Sequence, residues 1–402
     1  MKILIIGAGA SGIMAANEAS KKYNGSVFLF EKNNTIGRKV LISGGGRANV
    51  CTGFRDNDKI LSSYPRGKKL IKYLLYEFSP QNLCEFFEKS GLKLKIEKDM
   101  RVFPVSDKSE DVIKVFENEF KKNNVKLFLG EGIKLISYEN EKFNVVTDKN
   151  RNLIFDKVII TTGGKAYRET GSTGDGYHFA EKLGHKISKL SPSLNSLILK
   201  EKIFSELSGI SFKDVKIYSG KTFEIGSFIF THKGISGPLV FKISSLFAHS
   251  EISKNNPLSI FIDFFPNENE ESLKEKIFSL ASSKKQIKNI LSEFLTKSFA
   301  NIILKLLNID PEKKINELSK KEVNKIIASL KSLNIHAIGR SSGEEFVTAG
   351  GISLDEIDIK TMESKIQKGL YFAGEILDVD GFTGGFNLYS AFATGYIAGK
   401  SV

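Results

Sequence analysis

Residues Lys2–Lys32 read KILIIGAGASGIMAANEASKKYNGSVFLFEK. KILIIG is an unbroken apolar run with the look of a strand buried on both faces. SGIMAANEASKKY predicts a helix and SVFLFEK a second strand, which together make a βαβ start. The turn between the first strand and the helix, Gly7-Ala8-Gly9-Ala10-Ser11-Gly12, fits G-x-G-x-x-G. Gly7 permits the tight turn, Gly9 lets the backbone approach a pyrophosphate, and Gly12 lets the helix pack close. An anion then meets the unpaired N–H groups at the positive end of the helix. Glu31 follows Gly12 by 19 residues and ends the second strand. A carboxylate there accepts hydrogen bonds from ribose hydroxyls and disfavours a 2′-phosphate. Strand, glycine turn, helix and acid together predict a bound adenine dinucleotide.

The chain continues at once into GRKVLISGGGRANVC (Gly37–Cys51), with four glycines and three basic residues in fifteen positions. Glycine pairs recur in TTGGK (Thr161–Lys165), TAGG (Thr348–Gly351) and FTGGFN (Phe382–Asn387). Close-approach loops spread over the whole chain suit a long ligand lying extended across the domain, and FAD is that ligand.

Beyond the first unit, residues 68–90 read as a helix interrupted near Pro80, and residues 109–122 as another with Val112, Val115, Phe116 and Phe120 on one face. After about Ser191 short alternating segments (SLILK, VKIYSG, FEIGSFIF, LSIFIDFF) predict an antiparallel sheet or barrel. Residues 268–333 turn helical and lysine-rich, in SLKEKIFSLA, QIKNILSEFLTKSFANIILKLL and SKKEVNKIIASLKSL, and the last 60 residues return to glycine-rich α/β style. The expected architecture is α/β. A discontinuous Rossmann-like FAD-binding domain (1–190 and 348–402) carries an inserted β-barrel domain (191–267), a helical subdomain (268–333) and a return strand of the barrel (334–347).

The 402 residues include 59 Lys and Arg against 46 Asp and Glu, a net charge of +13. Such an excess suits a polyanion partner, RNA above all. Only eight of the basic residues are Arg, and a Trp-free chain rich in Lys, Asn, Ile and Phe is equally what an AT-rich genome produces. No apolar run reaches the roughly 18 residues of a membrane span. Cys51 and Cys84 are the only cysteines, too few for a disulfide framework, so a cytoplasmic setting is expected. His178, His185, His232, His249 and His336 show no ligand spacing, so no metal is expected. A G-x-S-x-G hydrolase elbow and a second dinucleotide fingerprint are both missing. A nicotinamide donor and the final substrate would then take turns at one flavin face.

Several blocks carry a family resemblance: GRKVLISGGGRANV, RVFPVSDKSEDV, TGSTGDGYHFAEKLGH, FTHKGISGP, TAGGISLDEID, TMESK and GLYFAGEILDVDGFTGGFNL. Together they resemble the BaiN/RdsA-like flavoproteins, from Met1 almost to Val402. The resemblance implies bound FAD, a split FAD domain, an inserted barrel and a helical subdomain. It also implies NADH or NADPH as a transient hydride donor and reduction of a conjugated C=C. One branch reduces steroid rings in bile-acid metabolism; another makes dihydrouridine in large-subunit (23S) ribosomal RNA. The second is favoured here, with a small-molecule ene-reductase and a non-catalytic flavin-bound RNA-binding or assembly factor as alternatives.

Carried onto this sequence, the resemblance puts Gly7, Gly9, Ala10, Ser11 and Gly12 on the pyrophosphate and Glu31 on the adenosine ribose. Lys32 points to the same end of FAD or is a plain surface lysine. Arg38, Lys39, Ser43, Gly44 and Gly46 line the phosphate-to-ribityl path. Thr162 and Gly163 end a buried strand, and Gly374 and Glu375 stand near the ribityl chain. Gly385, Asn387 and Leu388 open the last helix, whose N–H groups face the flavin N1/O2 edge, where charge develops on reduction. Three residues are candidates for the proton donor. These are His232, on general acid chemistry, Cys51, and Tyr389. Relatives often place their cysteine three residues before Cys51, where this chain has Ala48. Arg101 is a candidate for steering RNA phosphate or a substrate carbonyl.

Overall fold

The computed structural model describes residues 1–279 and 284–402. Leu280 and Ala281, the end of the SLKEKIFSLA segment, lie outside the described residues. The opening run forms β1 (Ile3–Ile6), α1 (Ala10–Lys22) and β2 (Val27–Glu31). All four residues of β1 are buried, because the strand is central in a seven-stranded sheet. From one edge the order is Ile357–Asp358, Glu363–Ser364, Leu370–Phe372, Lys157–Ile160, β1, β2 and Lys126–Leu129. The five strands from Leu370–Phe372 to Lys126–Leu129 are parallel, with Ile3 opposite Val27 and Lys157. Continuous β-branched and aromatic runs are what a sheet covered on both faces requires.

The helix Ser109–Lys122 buries Val112, Val115, Phe116 and Phe120 together. Near Pro80 the helical stretch divides into Lys68–Glu77 and Pro80–Lys89. Ser79 caps the second helix through a capping box with Asn82, and Pro80 takes the first helical position, where no N–H is needed.

Residues Met1–Ser193 and Glu345–Val402 form one compact unit and Leu194–Glu344 a second. Within the first, the departing segment Ser191–Ser193 pairs antiparallel with the returning segment Val347–Ala349. In the second, six strands close into a barrel: Leu197–Leu199, Gly234–Ser236, Thr222–Phe230, Ser211–Ser219, Leu258–Asp263 and Leu333–Arg340. Barrel and helices share one apolar core. Phe299, on the helix Lys297–Leu306, packs at 4.8 Å from Phe212 of the barrel. Among the described residues no helix is long and apolar enough to cross a membrane.

The helix Phe386–Ser401 lies against α1 at backbone contact. A Cβ on Gly395 would sit 2.3 Å from the Ser11 carbonyl oxygen, and one on Gly399 would sit 2.4 Å from that of Ala15. Gly395→Ala must therefore push the two helices apart. It is expected to cost about 1–3 kcal/mol, the range of overpacked cores, read as a lower denaturation midpoint.

Candidate functional site

The carboxyl ends of β1, β2, Lys157–Ile160 and Leu370–Phe372 open on one edge of the sheet, where open α/β sheets bind ligands. The glycine turn stands there. Gly7 has φ +97°, and a Cβ on Gly12 would sit 1.9 Å from the Gly7 carbonyl oxygen, so only glycine lets α1 start so close to its own turn. A Cβ on Gly9, by contrast, would meet nothing within 4 Å. Gly9 is the N-cap of α1 and supplies no capping side chain, so the first N–H groups of the helix, from Ala10 and Ser11 onward, lack intrahelical acceptors. Free backbone N–H groups of this kind are suited to an anion.

Glu31 is buried at 8% exposure, with its carboxylate aimed across the turn. The Ala8 N–H donates to Oε2 at 2.7 Å, and the Asn33 N–H and Nδ2 donate to Oε1 at 2.9 and 2.6 Å. A carboxylate accepts about four hydrogen bonds, so capacity for a further donor remains. Lys32 turns away from the turn, donating to Thr173 Oγ1 at 2.6 Å and Asp175 Oδ2 at 2.8 Å.

The loop after β2 begins as a helix at Arg38 and breaks at Ser43 (ψ 150°). Gly44 and Gly45 follow in left-handed conformation (φ 58° and 71°). Gly46 and Ala48 also have positive φ, 85° and 58°. The Arg38 guanidinium donates to Asn33 Oδ1 at 2.9 Å, and Lys39 Nζ lies 2.9 Å from Glu375 Oε2. The other Glu375 oxygen accepts the Thr348 N–H at 2.9 Å, while Thr348 Oγ1 accepts the N–H groups of Lys165 (2.7 Å) and Ala166 (3.1 Å). GRK and TAGG, more than 300 residues apart in sequence, thus meet at the carboxylate beside Gly374, and TTGGK joins them through the Thr348 hydroxyl. Gly163 has φ +73°, and the Thr162 hydroxyl, packed towards Gly176, is buried without a protein partner.

The Gly374 N–H donates to Thr394 Oγ1 of the last helix at 2.9 Å. Gly385 (φ +90°) starts the last helix against the Cys51 carbonyl. The side chain of Asn387 braces the preceding loop, accepting the Gly381 N–H at 2.8 Å and donating to the Gly381 carbonyl at 2.7 Å. The N–H groups of the first turn, Leu388 included, have no intrahelical acceptor.

The proton-donor candidates do not gather at one point. Cys51 is fully buried, with Sγ 3.4 Å from Cys84 Sγ. That hydrogen bond and burial push the Cys51 thiol well above its ordinary value, while the same bond lowers Cys84. The Tyr389 hydroxyl, also buried, donates to the Phe78 carbonyl at 3.0 Å, and burial raises its pKa. His232 is exposed in the Thr231–Gly234 turn of the barrel unit. Arg101 bonds Asp99 at 2.6 Å and reaches Glu97 at 3.4 Å. Among the described residues no cluster of His, Cys, Asp and Glu has a metal-site arrangement.

Two features had no sequence expectation. Asp380, fully buried, is held by the Arg66 guanidinium and by Ser193 Oγ at 2.9 Å. The only hint was that Asp380 alternates with apolar residues as the last of three acids in EILDVDGF. Tyr177 OH and Asp378 Oδ1 are buried without a hydrogen-bond partner, and burial, then Glu375 and Asp378, raise the Tyr177 pKa. A buried polar atom without a partner costs folding free energy, and Thr162, Tyr177 and Asp378 carry such atoms close to the ends of the parallel strands.

Residues 1–401 match the family model described as "HI0933-like protein Rossmann domain", and the chain belongs to that family. It is 32% identical, over 100% of its length and 98% of the relative's, to a 3-dehydro-bile acid delta(4,6)-reductase of Clostridium scindens. It is 30% identical, over 99% and 98%, to a ribosomal RNA dihydrouridine synthase of Haemophilus influenzae. Among solved structures it resembles the 3-ketosteroid-delta4-(5alpha)-dehydrogenase of Rhodococcus jostii, at TM-score 0.52 and 13% identity over 100% of this chain and 96% of that one. The fold is a Rossmann-type FAD-binding domain with a closed six-strand barrel and helices.

Arg66→Ala leaves the Asp380 carboxylate buried without its cation and is expected to cost about 3–5 kcal/mol, measured by chemical denaturation. Iodoacetamide at neutral pH is expected to label Cys84 in the folded protein and Cys51 only after unfolding, read by peptide mass spectrometry. Equal labelling of both in the native state would contradict the placement of Cys51.

Proposed function

We propose that the chain is an FAD-dependent oxidoreductase that takes hydride from NADH or NADPH and reduces uridine to dihydrouridine in large-subunit ribosomal RNA. The carrying observation is the net charge of +13 on a chain similar along its whole length to a ribosomal RNA dihydrouridine synthase. The steroid-reductase likeness fits the same chemical step, since both reactions saturate an electron-poor C=C conjugated with a carbonyl. That likeness, 32% over the whole chain, favours a steroid-like enone as the second reading.

In this reading Gly7, Gly9 and the first turn of α1 hold the pyrophosphate through backbone N–H groups and the helix dipole. Glu31 accepts from the adenosine ribose with its remaining capacity. Arg38, Lys39 and Ser43–Gly46 line the path towards the ribityl chain, near Thr162, Gly163, Gly374 and Glu375. Gly385, Asn387 and Leu388 set the helix N-terminus at the pyrimidine edge of the flavin, where N–H groups favour negative charge. FAD, once bound and reduced by NADH or NADPH, would supply the hydride for the substrate carbon. Of the candidate acids, His232 presents its ring to solvent, while Cys51 and Tyr389 hold their protons inside on protein acceptors. The target base must leave its stack to be reduced, at a cost of a few kcal/mol, so naked or incompletely assembled RNA is the expected substrate.

Deleting the gene and mapping dihydrouridine in the large ribosomal RNA tests the substrate. Loss of one modified site, restored in vitro by purified protein with NADH or NADPH, is the expected result. An unchanged map together with turnover of a steroid enone would select the second reading. An unchanged map with a flavin that no nicotinamide nucleotide reduces would leave a non-catalytic RNA-binding role. For the cofactor, wild type should purify yellow and Gly12→Ala colourless with unchanged circular dichroism, because the added Cβ would strike the Gly7 carbonyl oxygen and force the start of α1 away from its turn. A yellow Gly12→Ala protein would overturn the cradle assignment.

A further inference from the structure

The helix Lys68–Glu77 is amphipathic in an unusual way. Leu70, Ile71, Leu74 and Leu75 are buried, while Lys68, Lys72 and Tyr76, spaced i, i+4 and i+8, form one exposed column with Lys69 beside it. The column rises about 12 Å from Lys68 to Tyr76. Tyr76 is 85% exposed, so its ring has no packing role. Glu77 is the only acid on the helix. Among the described residues none of the three lysines has an ion-pair partner, whereas Lys32, Lys39, Arg47, Arg66 and Lys331 all do.

The start of this helix is tied to the loop that opens the last helix. Arg66 pairs with Asp380, the Phe382 N–H donates to the Ser63 carbonyl at 2.8 Å, and the Tyr64 hydroxyl donates to the Phe386 carbonyl at 2.7 Å. A row of unneutralised cations ending in a bare aromatic ring therefore begins beside the helix N-terminus assigned to the flavin edge. Cations that track a backbone, with a ring that stacks an unpaired base, are the two elements of single-strand recognition.

We propose, taking RNA as the substrate as above, that the outer face of Lys68–Glu77 docks the single strand flanking the target uridine. Lys68, Lys69 and Lys72 meet its phosphates, and Tyr76 stacks on a neighbouring base. The charge complementarity selects a polyanion, and the ring selects one with exposed bases. The column positions the strand and takes no part in the chemistry.

The test uses the FAD-loaded full chain and a uridine-containing single-stranded RNA oligonucleotide, with affinity measured over a salt series. Lys68→Gln with Lys72→Gln should weaken binding and flatten the slope of log affinity against log salt by about 1.4, at about 0.7 per single-strand phosphate contact. Tyr76→Ala should lose about 5-fold to 150-fold in affinity, the range of a base–aromatic stack, with the slope unchanged. Lys320→Gln with Lys321→Gln removes the same charge from the other unit and should have little effect. Unchanged flavin content in each variant reports intact folding. If wild type binds and the column variants bind equally well, or if the control pair weakens binding as much, the docking assignment is overturned. If wild type binds no RNA yet reduces a steroid enone, the RNA reading itself falls.

Discussion

The backbone at Ser11 is where the two ends of the chain meet. A Cβ on Gly395 would strike its carbonyl oxygen at 2.3 Å, and one on Gly374 its hydroxyl at 2.4 Å. These contacts set α1 against the final helix and against the end of the strand Leu370–Phe372. The cradle at the head of α1 then faces the crevice that the C-terminal segments complete. An anion site made of helix N–H groups works only if the helix start is both close to the sheet and open on its ligand side. Gly12 supplies the first condition and Gly9 the second.

That arrangement also explains how a long insertion is tolerated. The chain leaves the first unit at Ser191–Ser193 and returns at Val347–Ala349, and these two segments are hydrogen-bonded partners. With exit and return fixed side by side, the entropy of closing the intervening chain grows slowly, about 0.6 kcal/mol for each doubling of length. The parallel sheet neither gains nor loses a strand to the inserted unit, whose barrel closes on itself and leaves no sheet edge.

What was legible in the sequence followed from local rules. β1, α1, β2, the break before Pro80 and the buried face of Ser109–Lys122 each carry their own periodicity or capping signal within about a dozen residues. What was not legible depends on residues far apart in sequence. No local pattern announces that Asp380 is buried on Arg66, that Glu375 gathers Lys39 and Thr348, or that Cys51 faces Cys84. GRKVLISGGG read as a plain loop because its helical start is ended by glycines within two turns. Only the structure separates the helix from the left-handed glycines. The barrel strands were legible as strands, but their closure order, in which Leu197–Leu199 sits between Gly234–Ser236 and Leu333–Arg340, is a tertiary fact.

The electrostatics divide along the same line. In sequence the loop Gly37–Cys51 looks like a cationic cradle, yet two of its three cations are paired with carboxylates of the protein. Lys39 is neutralised by Glu375 and Arg47 by Glu97 and Asp107, and Arg38 is bound to Asn33. Pairing a cation with a carboxylate fixes geometry and contributes little net field, which leaves helix N-termini and glycine N–H groups as the groups of this crevice suited to an anion. Those dipoles are short-ranged and fade beyond the first turn. A large polyanion approaching from solvent must be felt through charges that remain unpaired, such as Lys68, Lys69 and Lys72. In the proposed reading, the resident and the passing anion would be served by different physics: backbone dipoles at close contact for the first, free side-chain charge at the surface for the second.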